Sequence, residues 1–413
     1  MTFQPPKGMV DLTPEVAARY NYVLDKLRGV FERYGFMPLD TPALEDFALF
    51  EAKGGVGESI RDEIYCFKDK SDRELALRFE FTASLARFVL NNPSLPKPFK
   101  RWQAGKVWRY ENPQAMRYRE FWQADIDTIG SPSPLADAEC LACFCECMRA
   151  LGFKDFRIRV NDRKAMESVL SGVVPKEKMA DAFRSIDKMD KIGESGVERE
   201  LKDKGINAAK VLKLMKLEES EVLDKSKELQ ELVRFAKLFG IEKNLKVDFS
   251  LVRGLGYYTG LVFEVYCGAD LSCGGGGRYD NLIKSFGGPE LPATGISFGV
   301  SRLVAVMEER GMFKGLKPCT AFVSPVNDSV REDALRITKQ LREESVQCET
   351  DLLERKLPKQ LEYAAALGLP YVVIVGPKEL EKKSVKLRDM KTGKEKLVKT
   401  EKLGQEIAKA VKK

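Results

Sequence analysis

The sequence predicts an α+β fold: an antiparallel sheet with flanking helices, a helical insertion, and a smaller α/β domain near the C-terminus. Three observations predict it. Residues 100–130 alternate like two paired strands, residues 163–235 have helical periodicity with almost no strand signal, and strand and helix alternate from about residue 318. The length of 413 residues suits two or three domains. We expect one domain over 1–314, containing the insertion, and a second over 318–413.

The first elements are a helix and an extended segment. Residues 15–34 have the helical spacing of apolar residues and follow a Thr-Pro start signal. Prolines at positions 38 and 42 break residues 35–45, which are therefore expected to be extended.

Residues 100–130 carry the most informative functional pattern. Four arginines lie among tryptophan, tyrosine and phenylalanine residues, and an Asn-Pro turn signal divides the segment into two strands. Because strand side chains alternate with period two, one face of the second strand carries Phe121, Gln123 and Asp127 together. Aromatic, amide and carboxylate groups on one face make a poor core. They suit the binding of a nucleotide and a small polar molecule.

A glycine-rich segment, GGGGRYDNLI, begins at residue 274. It lacks the lysine and the serine or threonine of a Walker-type phosphate loop. Two interpretations stay open: glycines that let the backbone approach a substrate closely, or a flexible turn.

The excess positive charge lies entirely near the C-terminus. Counting from Lys314 to the end gives 22 Lys+Arg against 15 Asp+Glu, a net charge of +7 that equals that of the whole chain. Such a distribution is expected of a part that binds a polyanion, although a solvated lysine-rich surface would have the same composition.

Nine cysteines, an odd number at irregular spacing, argue against a disulfide framework. Four lie within AECLACFCECMRALG, which raises the possibility of a metal site. Cys140, Cys143 and Cys147 share one helix face, however, and free cysteine behaves as a small hydrophobe. A single helix cannot easily surround a tetrahedral ion with four thiolates, so we expect structural cysteines and no metal site.

The chain contains no histidine. Imidazole bases, histidine triads and histidine metal ligands are therefore excluded, and the chemistry must use fixed charge or Asp, Glu, Lys, Tyr or Cys. No apolar run approaches the roughly 20 residues that span a bilayer, and the N-terminal residues lack an apolar signal region. We expect a cytoplasmic protein without a membrane partner.

Four segments together resemble class II aminoacyl-tRNA synthetases, and specifically the histidyl-tRNA synthetase family. GFMPLDTPALE is similar to the first class motif, which lies at the dimer interface, WRYENPQAMRYREFWQADID to the second, and GISFGVSRL to the third. LVRGLGYYTGLVFE and GGGGRYDNLI are similar to histidyl-specific segments. The resemblance covers essentially the whole chain. It implies a class II catalytic domain, a C-terminal anticodon-binding domain and a homodimer.

The resemblance also implies ATP-dependent ligation of L-histidine to histidine tRNA through a histidyl-adenylate. Arg109 and Arg253 would be catalytic, since guanidinium groups stabilise the negative charge that develops on the α-phosphate. Mg²⁺ would accompany ATP, held mostly by phosphates and water. The implied ATP-binding residues are Arg109, Arg117 and Arg302 at the phosphates, Phe121 and Arg302 on either side of adenine, and Glu111 near its exocyclic amine.

For the amino acid, the family uses a carboxylate, a hydroxyl and an amide around the α-amino group. A neutral imidazole offers one donor and one acceptor, so its pocket needs matched polar partners. Such matching rejects apolar analogues without an editing step. The implied histidine-binding residues are Glu80, Thr82 and Gln123 at the α-amino group, Asp127 and Tyr258 at the imidazole, Tyr257 beside them, and Arg253.

Two positions depart from the family pattern. An acidic residue is usual where Gly256 stands, and a glutamate is common where Ser301 stands. Neither is assigned a direct contact, but both could alter local hydrogen bonding or metal geometry.

The remaining partner is tRNA. By resemblance, the 112–118 loop meets the acceptor end, and the basic C-terminal domain reads splayed anticodon bases. Three alternatives stay open: a non-catalytic regulatory subunit of ATP phosphoribosyltransferase, which shares the catalytic fold; a class II synthetase for another amino acid; and a purely RNA-binding module.

Overall fold

The structure is a computed structural model that describes residues 3–52, 59–112, 118–252, 258–268, 271–313, 316 and 319–411. The chain divides into two compact units. The first comprises Met1–Asp11 and Tyr20–Met312, and the second comprises Leu12–Arg19 and Phe313–Lys413.

Helices and strands are numbered in chain order. The helices are α1 Pro14–Arg33, α2 Phe47–Ala52, α3 Ser59–Glu63, α4 Thr82–Asn91, α5 Pro134–Ala150, α6 Arg163–Leu170, α7 Met179–Ile186, α8 Met189–Asp203, α9 Ala208–Leu214, α10 Glu219–Leu223, α11 Lys227–Leu238, α12 Leu282–Ser285, α13 Val300–Glu309, α14 Arg331–Glu343, α15 Leu357–Ala366, α16 Pro377–Leu380 and α17 Leu403–Val411. The strands are β1 Met37–Pro38, β2 Leu44–Asp46, β3 Cys66–Lys68, β4 Glu74–Leu77, β5 Phe99–Trp108, β6 Glu120–Ile129, β7 Arg157–Asp162, β8 Leu245–Val247, β9 Leu261–Tyr266, β10 Ser272–Arg278, β11 Ala293–Phe298, β12 Ala321–Pro325, β13 Cys348–Thr350, β14 Tyr371–Val375, β15 Ser384–Asp389 and β16 Glu395–Lys399.

An eight-stranded sheet organises the first unit, in the order β1-β5-β6-β11-β10-β9-β7-β8. The six central strands are antiparallel to their neighbours, whereas β1 and β8 pair in parallel at the two edges. The predicted α+β fold and the 100–130 hairpin are confirmed. The sheet is mixed only at its edges, because β1 and β8 reach their partners through long connections instead of tight turns.

The two faces of this sheet differ in chemistry. On one face the Phe298 ring stacks on Phe144 of α5, with ring centroids 4.0 Å apart, and lies 5.3 Å from the Phe31 ring of α1. These rings are buried, so α1 and α5 cover an apolar face. The opposite face carries polar residues, because the register places Gln103 beside Asp125 across β5 and β6. The candidate site lies on this polar face.

The glycines that begin at residue 274 form the central strand β10, bonded to β9 and β11, and not a flexible turn. A Cβ at Gly274 would come within 2.6 Å of the Phe144 ring, so α5 packs directly against the strand backbone. Glycine is required there by close packing.

The helical insertion consists of α6 to α11. In α11, buried Leu229, Leu232 and Ala236 follow a helical repeat and face the core. Ser226 caps this helix: its Oγ accepts from the Leu229 backbone N–H at 3.0 Å and donates to Asp162 at 2.6 Å. The cap therefore ties the insertion to the end of β7.

The second unit is a five-stranded sheet in the order β13-β12-β14-β15-β16, with parallel pairing among the first three strands and antiparallel pairing in the rest. Ala321 and Val323 pack in one core cluster and Phe322 in another, since successive strand residues face opposite sides. The predicted alternation of strands and helices is confirmed.

The nine cysteines comprise one disulfide pair and seven free thiols, four of which lie in α5. Cys267 and Cys273 form a disulfide between the end of β9 and β10, a pairing that the sequence argument against a disulfide framework did not anticipate. The cysteines of α5 are fully buried and unbridged. Among the described residues, no three His, Cys, Asp or Glu side chains are grouped to hold a metal. No helix in the described ranges has both the length and the apolar character needed to cross a membrane.

Candidate active site

A cavity of about 360 Å³ opens on the polar face of the eight-stranded sheet. Its walls come from β6, β10 and β11, from the start of α13, and from the segments that precede α4 and follow β5. Eight residues implied by the family resemblance line it: Glu80, Thr82, Arg109, Glu111, Phe121, Gln123, Tyr258 and Arg302. Segments that are far apart in the sequence therefore meet in one site.

Three implied residues lie outside the described part of the chain. They are Arg117, Arg253 and Tyr257, and the departure Gly256 falls there as well. Their roles stay predictions.

Arg109 lies just beyond the end of β5, at one end of the cavity. Its Nε donates to the Phe79 carbonyl at 3.2 Å, and its guanidinium carbon lies 5.1 Å from the centroid of the Phe121 ring. Within the described ranges no carboxylate lies within ion-pair distance of this guanidinium. The backbone bond fixes the side chain, and its charge lies at the cavity wall.

Arg302 approaches the same cavity from the first turn of α13. Its Nη1 donates to the Ser272 carbonyl at 2.8 Å, which holds the guanidinium against the start of β10. Two guanidinium groups and the Phe121 ring in one cavity can bind phosphates and a stacked base.

Ser301 has a local structural role. Its Oγ accepts from the backbone N–H of Trp122 at 3.0 Å, so the hydroxyl ties α13 to β6 beside the cavity.

Glu80 is fixed by the helix that follows it. Its two carboxylate oxygens accept from the backbone N–H groups of Thr82, at 2.6 Å, and Ala83, at 2.9 Å, at the start of α4. The carboxylate lines the cavity and is only 6% exposed. A carboxylate has about four lone-pair positions, so Glu80 has the chemical capacity to accept from an ammonium group as well.

Gln123 and Asp125 lie side by side on β6, and both line the cavity. Gln123 Nε2 donates to the two oxygens of Asp125 at 3.0 and 3.2 Å. Burial raises the pKa of Asp125 to about 7, against the lowering effect of Arg101 and with a further raising effect of Asp127. The alternation of β6 predicts Asp125 on this face, but no sequence motif gives it a role there.

Asp127, which the resemblance assigns to the imidazole, is not among the described residues that line the cavity, and its role there stays a prediction. Its Oδ2 lies 2.6 Å from Nη2 of Arg101, which is 0% exposed, and its Oδ1 accepts from the Tyr279 hydroxyl. A Cβ at Gly295 would collide with Oδ1, so glycine is required on the neighbouring strand. Asp127 is thus half of a buried ion pair with Arg101.

Comparison with protein families identifies the chain. Residues 8–303 match the family model described as histidyl-tRNA synthetase, and residues 320–410 match the anticodon binding domain. The chain belongs to the histidyl-tRNA synthetase family. A relative from Thermococcus kodakarensis, named histidine–tRNA ligase, is 39% identical over 426 residues, which cover 97% of each chain.

Solved structures agree with this family. The crystal structure of histidyl-tRNA synthetase from Nostoc sp. PCC 7120 has a TM-score of 0.87 and 29% identity, covering 99% of this chain and 100% of that chain. A Bacillus halodurans C protein described as an ATP phosphoribosyltransferase regulatory subunit/histidyl-tRNA synthetase has a TM-score of 0.74 and 21% identity, covering 88% and 96%. That second likeness concerns the fold alone.

Proposed function

We propose that the protein ligates L-histidine to histidine tRNA in two steps, with ATP as co-substrate and histidyl-adenylate as intermediate. The observation that carries the proposal is the shared cavity. It joins arginines and an aromatic ring suited to ATP with a carboxylate and an amide suited to an amino acid.

In the first step, the histidine carboxylate attacks the α-phosphorus of ATP and pyrophosphate leaves. The nucleophile is already ionised, so a chain without histidine needs no imidazole base. Arg109, together with Arg253 by resemblance, stabilises the charge that develops on the α-phosphate oxygens. Phe121 and Arg302 hold the adenine between them, with Glu111 near its amine, and Arg302 and Arg117 bind the outer phosphates.

Mg²⁺ is part of the proposal as a companion of ATP. Because the described residues offer no group of three metal ligands, the ion would be held mainly by phosphate oxygens and water. It would neutralise phosphate charge, while the arginines orient the nucleotide.

Histidine would lie with its α-ammonium group between Glu80, Thr82 and Gln123. Its imidazole would point toward Tyr258 and, by resemblance, Tyr257 and Asp127. Because Asp127 is buried and paired with Arg101, its contact with the ring would be made while that ion pair is kept.

In the second step the terminal ribose hydroxyl of tRNA attacks the adenylate, with the phosphate as the proton acceptor. The 112–118 loop would meet the acceptor end. The domain over 318–413, with its excess of positive charge, would read anticodon bases. Charging of free tRNA would take place in the cytoplasm. The protein would be a homodimer, because the segment similar to the first class motif lies at the dimer interface in that class.

Regulatory relatives with this fold generally lack the C-terminal domain and lose catalytic arginines. This chain has the anticodon-binding domain over 320–410, and Arg109 lines its cavity. Both features favour the enzyme over a regulatory subunit.

The decisive experiment is ATP–pyrophosphate exchange with each of the twenty amino acids in turn. We expect exchange with histidine and only background with the others, because the pocket's polar groups go unpaired beside an apolar side chain. Exchange with a different amino acid would show that the chain is another synthetase. No exchange with any of them, in a folded protein that binds ATP, would favour the regulatory subunit.

Deletion of residues 318–413 should separate the two steps. Pyrophosphate exchange with histidine should remain largely intact, whereas tRNA charging should fall about 100-fold or more, since one of two linked tRNA-binding surfaces is lost. Initial rates of both reactions on the same preparation are the measurement. Equal losses in the two would argue against anticodon recognition by this domain.

A further inference from the structure

Asp125 has no role in the proposed function, yet it lies at the centre of the candidate site. It is 4% exposed, lines the cavity, and accepts two hydrogen bonds from the Gln123 amide. Its location next to a residue assigned to the α-ammonium group suggests an action on that group.

The chemistry of a carboxylate decides how the Gln123 amide is oriented. The pKa of Asp125 is raised to about 7, and in the ionised form that predominates above this pH the carboxylate only accepts hydrogen bonds, so it must face the NH₂ end of the amide. The carbonyl oxygen Oε1 is then turned away from Asp125. In the described part of the chain no N–H or O–H donates to Oε1, and Gln123 lines the cavity. Oε1 is therefore left to accept a hydrogen bond from a ligand.

The surroundings of Asp125 hold it in place. In the sheet register it lies opposite Gln103 of β5 and Ser297 of β11. The Gln103 amide does not take the place of Gln123 on Asp125. Its Nε2 donates instead to Asp40 at 3.1 Å and to Thr41. Asp125 is thus a fixed acceptor on a rigid central strand.

We propose that Asp125 is a positioning residue that turns the carbonyl oxygen of Gln123 toward the cavity and thereby sets the affinity for the α-ammonium group of the amino acid. The reversed amide would present its NH₂ group, which repels an ammonium and favours an anion. The inference rests on the proposed function only in taking an amino acid as the ligand.

Three variants separate orientation from charge. Asp125→Ala removes the acceptor, and we expect the Kd for L-histidine to rise about tenfold, the scale of one hydrogen bond to a charged group. Asp125→Asn keeps an acceptor of the same size without charge and permits both amide orientations, so we expect a rise of only about twofold. In a Gln123→Ala background, Asp125→Ala should have little further effect, because the residue through which it acts is gone.

The measurement is calorimetric binding of L-histidine and of imidazole-4-propionate, which has the same ring and carboxylate but no α-amino group. We expect Asp125→Ala to leave the affinity for imidazole-4-propionate unchanged. In pyrophosphate exchange, KM for histidine should rise while kcat changes little. Thermal unfolding checks that each variant is folded, and Asp125→Ser replaces Asp125→Ala if the alanine variant is not.

Several outcomes would overturn the inference. Equal losses for Asp125→Asn and Asp125→Ala would mean that charge matters and orientation does not. Additive effects of Asp125→Ala and Gln123→Ala would mean that Asp125 acts directly. A matching loss for imidazole-4-propionate would place Asp125 at another part of the ligand. If the exchange assay identifies an amino acid other than histidine, the same variants are tested with that amino acid and its deamino analogue. Failure of the proposed substrate can then be distinguished from failure of the proposed role of Asp125.

Discussion

Arg109→Ala is expected to lower the rate of adenylate formation about 100- to 1,000-fold, the usual loss when one group that stabilises developing oxyanion charge is removed. The Arg109 guanidinium is fixed by its bond to the Phe79 carbonyl and by the Phe121 ring, and within the described ranges no carboxylate neutralises it. Its charge therefore acts on the ligand, and its removal should cost little stability. The measurement is ATP–pyrophosphate exchange at saturating histidine and ATP, with thermal unfolding in parallel.

Two control variants accompany this prediction. Arg109→Lys keeps the charge but loses the forked donor geometry, so an intermediate rate is expected. Arg73→Ala removes an exposed arginine whose partner is Asp69, away from the cavity, and exchange should be unchanged. A rate for Arg109→Ala close to that of Arg73→Ala would remove Arg109 from the catalytic set.

Asp127→Ala is expected to destabilise the first unit by about 3–5 kcal/mol, because it leaves a charged guanidinium buried without its ion-pair partner. Arg101 is 0% exposed, and its Nε and Nη1 find no hydrogen-bond acceptor among the described residues. Urea unfolding followed by tryptophan fluorescence measures this effect. The three tryptophans, at positions 102, 108 and 122, all belong to the first unit, so the signal reports on that unit.

A matched control is Asp25→Ala, which removes the carboxylate of an exposed pair with Arg28 on α1. Its cost should stay below about 1 kcal/mol, as for other surface pairs. If Asp127→Ala unfolds at the same urea concentration as Asp25→Ala, the pair with Arg101 is not a buried one. Should Asp127→Ala prove fully stable and yet lose histidine affinity selectively, its role would be that of a ligand alone.

Much of the candidate site could be predicted from the sequence because strands have a local period. The alternation along β6 predicts that Phe121, Gln123 and Asp125 lie on one face of the strand, and this prediction does not depend on the rest of the chain. Residues from separate segments, such as Glu80 and Arg302, could be assigned to the same site only through the resemblance to a family. No local rule brings them together.

The sequence alone was not sufficient where the environment comes from distant parts of the chain. The glycines of β10 had the composition of a turn, but β9 and β11 supply backbone hydrogen bonds on both sides and α5 packs against them. Tertiary packing overrode local propensity there.

By itself, the sequence determined which chemical groups lie on one side of a strand, because that depends only on backbone geometry over a few residues. Only the tertiary structure decided that Asp125 lines the cavity while Asp127 pairs with Arg101 in the interior. The reason is that two residues converge on Asp127: Arg101, on the neighbouring strand, supplies the opposite charge, and Tyr279, 152 positions along the chain, donates a hydrogen bond. Two carboxylates of equal chemistry and equal orientation on β6 thus acquire different surroundings through partners that no local pattern identifies.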